Sequence, residues 1–140
     1  MKVLKIAVAG ACLALMAACG IGGNSDGATV GVKLDEYKLQ LASTSIPAGK
    51  VTFQISNEGK EKHEFVILRT DLALMSLPID TSANKVQEEA TGIVHVDEID
   101  GLGPGEQKNL ALNMKPGRYL LVCNYPGHVH GGMVAVFDVK

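Results

Sequence analysis

Cys123-Asn-Tyr-Pro-Gly-His128-Val-His-Gly-Gly-Met133 decides how the rest of the chain is read. It offers a thiolate, an imidazole and a thioether at Cys-x4-His-x4-Met spacing. Soft sulfur donors select Cu(I), and imidazole suits both copper oxidation states. A trigonal set of one cysteine and two histidines with a weak axial methionine needs one more imidazole. His63, in Lys62-His63-Glu64-Phe65-Val66-Ile67-Leu68, is the candidate. Taken alone it reads equally well as a core histidine bonded to backbone. Beside Cys123 and His128 it reads as a ligand.

The segments NEGKEKHEFVIL (57–68), PG-x2-YLLVCNYPGH (116–128) and GGMVAVFDVK (131–140) resemble the cupredoxin, or type 1 blue copper, family. Within it the chain is most similar to the small plastocyanin-like and auracyanin-like secreted copper proteins. The resemblance spans roughly Val30 to Lys140 and implies an antiparallel Greek-key β-sandwich. It also implies one copper ion held by His63, Cys123, His128 and Met133, cycling between Cu(I) and Cu(II). The chain departs from plastocyanins and azurins after the first histidine. Those usually carry Asn or Asp there to tie the two ligand segments together. Here Glu64 stands in that place and Asn124 follows Cys123.

Outward from the site, the hydrophobic pattern agrees with a sandwich. Val51-Thr-Phe53-Gln-Ile55 alternates strictly, as a half-buried strand does. Val30 to Ala42 reads as a strand or a bent strand pair. His63, Phe65 and Ile67 share one face by period two. Gly92 to Ile99, Lys108 to Met114, Tyr119 to Cys123 and Met133 to Val139 complete seven or eight short strands separated by turn residues. Residues 71–90 lack a strand pattern and read as an irregular insertion. As the alternative, Thr81 to Ala90 could form a short helix there, capped by Thr81 or Ser82. Met75 reads as packing, His95 as a solvated side chain, and His130 as exposed.

The N-terminus is a targeting segment. Lys2 and Lys5 precede the apolar run from Ile6 to Ala18, which is too short to span a bilayer comfortably. Met16-Ala17-Ala18-Cys19-Gly20 resembles a bacterial lipoprotein processing site, with 1–18 as leader and Cys19 as the lipidated first residue. An ordinary secretory signal is the alternative, and both export the domain to the cell envelope, facing the periplasm or the exterior. Residues 19–29 are glycine-rich and polar, a flexible tether before a domain at 30–140.

Export sharpens the cysteine count. Of three cysteines, Cys12 leaves with the leader and Cys19 carries lipid, so Cys123 is a single thiol in an oxidising compartment. Metal ligation and burial would protect it. The chain holds 13 basic and 15 acidic side chains. Without Lys2 and Lys5 the mature charge falls to about −4, which excludes a basic nucleic-acid footprint.

Function follows from the resemblance: a one-electron carrier, monomeric, docking transiently with redox proteins near His128. The uncharged loop residues Pro126, Gly127 and Val129 form the expected docking patch. A copper storage, delivery or sensing module is the alternative. Catalytic readings fit less well. Copper oxidases and nitrite reductases place a histidine beside the cysteine, whereas Val122 and Asn124 flank Cys123 here. Methionine is a poor zinc ligand and no general base is evident. A Cys–His protease would lack its orienting third group.

Cys19→Ala shifts the protein from the membrane pellet to the soluble fraction of the envelope. An unchanged membrane fraction on immunoblotting would rule out the anchor.

Overall fold

A computed structural model describes residues 27–140. The expected leader at 1–18, Cys19 and most of the tether lie outside the described residues. Strand β1 (Ala28–Asp35) begins two residues before the expected Val30. It is followed by β2 (Lys38–Leu41), β3 (Ser45–Ile46), β4 (Gly49–Asn57) and β5 (His63–Arg69). An insertion then carries a 3-10 turn (Leu74–Ser76) and a small hairpin of β6 (Ile79–Asp80) and β7 (Lys85–Val86). The chain continues through β8 (Val94–Leu102), β9 (Gln107–Met114), β10 (Gly117–Val122), a single helical turn α1 (His128–Gly131) and β11 (Val134–Val139).

Two sheets face each other, ordered β2-β1-β4-β9 and β3-β11-β10-β5-β8. The eight strands of four residues or more bear out the expected sandwich. The purely antiparallel expectation needs correction, because β1 pairs with β4 and β3 with β11 in parallel. Parallel neighbours need a crossover. After the β1–β2 hairpin the chain visits the edge of the opposite sheet as β3, then returns beside β1 as β4. The hairpin itself turns at Tyr37, held in the left-handed region at φ 64°.

Alternating residues of both sheets fill the space between them. Val30, Val32, Leu34, Val51, Phe53, Ile55, Phe65, Ile67, Leu121 and Phe137 are all buried there. Phe53 contacts the rings of Phe65 and Phe137 at centroid distances of 5.3 and 5.5 Å, so the few aromatics are grouped. A second core lies on the outer face of the five-stranded sheet. There Val66, Leu68, Leu120 and Val122 pack under Val86 and Ile93, with Leu72, Leu77 and Ile79 around them. The insertion therefore covers β5 and β10 as a lid of packed side chains, and both strands are buried on both faces.

Two readings within the insertion are corrected. Thr81 to Ala90 does not form a helix. The Asp80 carboxylate accepts from the N–H groups of Ser82 and Ala83 and from the Ser82 hydroxyl, closing a turn instead. Asn84 then adopts φ 53° and the chain returns as β7. Short Asp, Ser and Asn side chains compete with helix in this way. Met75 is 98% exposed, not packed. Leu72 and Leu77 reach the second core from either side of the 3-10 turn, leaving Met75 at its tip.

Leu68→Ala truncates a fully buried side chain of this second core and costs about 2–5 kcal/mol in chemical denaturation. A loss below about 1 kcal/mol would show that the insertion packs loosely on the sheet.

Candidate metal centre

The site lies where β5 begins and β10 ends. His63 opens β5, is fully buried, and points toward the main core in step with Phe65 and Ile67. Cys123 directly follows β10 and is fully buried in the same core. The chain then makes an excursion over residues 124–132 and returns at Met133, whose carbonyl accepts the Cys123 N–H at 3.0 Å. Within the excursion Gly127 takes φ 84°, and its N–H donates to the Asn84 carbonyl at 2.9 Å. That turn starts α1 and swings His128 back under Cys123. A side chain at Gly131 would overlap the Tyr37 ring, and one at Gly132 would press on the Tyr37 carbonyl at 2.8 Å. The two glycines let β2's preceding turn lie directly against the loop.

Three donor atoms converge. Cys123 Sγ lies 3.3 Å from His128 Nδ1 and 3.8 Å from His63 Nδ1, and the two ring nitrogens are 3.3 Å apart. The point equidistant from all three is about 2 Å from each, close to the roughly 2.0–2.3 Å that imidazole and thiolate keep from a first-row ion. The residues present therefore fit a trigonal metal ion, and the soft sulfur suits copper. Met133 is fully buried in the same core, and its N–H donates to the His128 carbonyl at 2.9 Å.

The surroundings hold these groups in place. The backbone N–H of Glu64 donates to Cys123 Sγ at 3.4 Å, tying the two ligand-bearing segments together. Asn124 clasps β7: its side-chain carbonyl accepts from Val86 N–H at 2.7 Å, and its amide donates to the Val86 carbonyl at 2.9 Å and to Glu88 Oε1 at 2.6 Å. The buried Asn57 amide donates to the carbonyls of Glu61 and Leu102, fixing the turn ahead of His63. Glu36 accepts the backbone N–H groups of Lys60 and Glu61 at 2.6 and 2.7 Å. Those bonds, that of Glu61 first, hold its carboxyl down at about 2. Glu36 Oε1 also lies 3.5 Å from His63 Nε2, an electrostatic approach without hydrogen-bond geometry.

His128 is flanked by ring edges: Tyr37 at 5.9 Å, Tyr125 at 5.8 Å and His63 at 5.2 Å between centroids. The Tyr125 hydroxyl donates to Asp100 at 2.9 Å. Of the expected docking residues, Pro126 is exposed while Gly127 and Val129 are half-buried. His130 is exposed, as expected. Asn57, Glu36 and Tyr37 were not singled out by their sequence pattern. Only the Asn57-Glu58-Gly59 turn hinted at one of them.

Burial pushes the Cys123 thiol above its ordinary range, and burial, then the neighbouring His128, pushes the His63 imidazole below its own. Without metal both groups are held neutral. Burial likewise raises the Glu64 carboxyl to about 7.

Two sheets enclosing a mononuclear centre of two imidazoles and a thiolate at one end define a small metalloprotein of the β-sandwich class. The cupredoxin-like domain matches residues 5–135, so the chain belongs to the cupredoxin-like family. Its fold is similar to that of dithionite-reduced auracyanin from the photosynthetic bacterium Roseiflexus castenholzii (24% identity, TM-score 0.60, 81% of this chain and 99% of that one). Rusticyanin from Thiobacillus ferrooxidans is similar too (21% identity, TM-score 0.60, 81% and 79%). So is auracyanin A, a "blue" copper protein from Chloroflexus aurantiacus (20% identity, TM-score 0.54, 81% and 99%). No curated protein matches the chain. The expected family resemblance is borne out.

Because ligation needs the thiolate, metal uptake at neutral pH releases about one proton per ion, and affinity rises with pH until the thiol itself ionises. Calorimetry in buffers of different ionisation enthalpy measures that release. A proton count unchanged in Cys123→Ala would show that the sulfur does not ligate.

Proposed function

We propose that the protein is a one-electron carrier built around a single copper ion, with His63, Cys123 and His128 as trigonal ligands and Met133 as the weak axial one. The observation that carries this reading is the triangle of donor atoms with sides of 3.3, 3.3 and 3.8 Å. When bound, copper supplies a couple between two oxidation states one electron apart. The chain's own residues do the rest. His63 is anchored at a strand start, and Cys123 and Met133 border strands joined to each other by a backbone hydrogen bond. Ligands fixed in this way move little when charge changes, which keeps the reorganisation barrier low. The Glu64 N–H pointing at Cys123 Sγ stabilises negative charge on sulfur. Such bonds outside the ligand set tune a metal site.

The His128 end carries the exchange of electrons. Exposed Pro126, half-buried Gly127 and Val129, and the exposed ring of Tyr37 surround it, with the exposed Glu61 carboxylate 3.7 Å from His128 Nε2 as the charged group at its rim. A partner docking there would bury little area, as suits a transient encounter. The mature chain is read as monomeric and exported, with residues 1–18 removed and Cys19 lipidated. The domain then stands off the membrane on a short polar tether. Electron transfer, not catalysis, is the role this arrangement serves.

Copper added to the metal-free protein under mild oxidation gives an intense blue absorption that bleaches on reduction and returns reversibly. Cys123→Ser abolishes the band in a folded protein. Met133→Leu keeps copper and raises the reduction potential, because a lost axial donor disfavours Cu(II). A protein that holds Cu(I) tightly yet never turns blue would favour storage or delivery instead.

A further inference from the structure

We propose that Glu88, His95 and Glu98 form a second metal site on the outer face of the five-stranded sheet, taking a borderline divalent ion such as Zn2+. Their ligand atoms all lie within 4.8 Å of one another. His95 Nε2 is 3.5 Å from Glu88 Oε2 and 3.4 Å from Glu98 Oε2. In a regular strand residues 95 and 98 point to opposite faces. Here β8 is bulged: Ile67 pairs with Asp97 and Leu68 with His95, so Val96 is the extra residue. The bulge turns His95 onto the face of Glu98, a re-aiming of side chains that bulges commonly perform.

Glu88 is preset for the same purpose. Its Oε1 is taken by the Asn124 amide at 2.6 Å, which leaves Oε2 toward His95. Asn124 is itself buried and pinned to β7, so the carboxylate is held by the scaffold.

An independent sign comes from beneath. Glu64 is 93% buried by its 7% exposure, and its Oε1 has no hydrogen-bond partner. By alternation it shares a face with Val66, the residue paired with Glu98. Its carboxyl lies within the field of Glu88, Asp100 and Glu98, with Lys85 as the facing cation. Glu88, Glu98 and Asp100, three carboxylates facing the single Lys85 ammonium, leave uncompensated negative charge on this face. The ligand groups stay reachable from solution, with side-chain exposures of 23% for Glu88, 35% for His95 and 45% for Glu98. One imidazole and two carboxylates, with no sulfur, select a borderline or hard divalent ion over Cu(I). Three protein donors leave a fourth position for water.

The inference does not depend on copper at the first centre. Its test is zinc uptake by the full chain, measured by equilibrium dialysis and elemental analysis. His95→Ala and Glu88→Gln, at accessible positions, should each lose one saturable equivalent of zinc relative to the wild type. Cys123→Ala should retain that equivalent, whatever it loses at the buried centre. Wild-type uptake in His95→Ala would overturn the site, as would zinc uptake that never saturates. Circular dichroism matching the wild type shows that the variants fold.

Discussion

The hydrogen bond from Cys123 N–H to the Met133 carbonyl is the constraint on which the site depends. At 3.0 Å it joins the two ends of the excursion over residues 124–132 and makes the loop a closed unit. Everything inside must then fit a fixed perimeter. Gly127 supplies the left-handed turn, α1 supplies one turn of helix, and His128 has little choice but to face Cys123. The opposite wall is β5, whose first residue is His63. Because β5 and β10 are adjacent and paired from Tyr119↔Arg69 to Val122↔Val66, the separation of the two ligand segments follows from strand spacing.

Two carboxylates near the centre illustrate how position decides chemistry. Glu36 is half-buried and gathers backbone N–H groups, so it stays charged and braces the turn before His63. Glu64 sits beside a ligand but faces the second core, where burial resists its charge. Its contribution to the centre comes through its backbone N–H, not its carboxyl. A main-chain contact thus ties the two segments here, with Asn124 clasping the insertion from the other side.

The sandwich and the Cys123 and His128 donors were legible in the sequence because their signals are local and periodic, whereas His63 reads as the third donor only beside those two. Alternation in 51–55 and 108–114 marks half-buried strands, and Cys-x4-His-x4-Met is a spacing with a chemical meaning. The parallel pairing of β1 with β4 was not legible, since no local pattern records which sheet β3 joins. Nor was the second core read, although the unbroken apolar runs Phe65-Val-Ile-Leu68 and Tyr119-Leu-Leu-Val122 are what strands covered on both faces carry. The alternative helix over 81–90 failed to Asp80, one residue ahead of the window, whose carboxylate captured the N–H groups a helix would have used. The His95 grouping depends on a bulge, which is a property of two paired strands and invisible in either alone.

The placement of the tyrosines has an optical consequence. The chain contains three tyrosines and no tryptophan. Tyr119 is buried in the main core, while Tyr37 and Tyr125 stand edge-on to His128 from two sides. Two of the three intrinsic fluorophores are therefore neighbours of one imidazole, and ultraviolet emission becomes a built-in gauge of what that imidazole is doing.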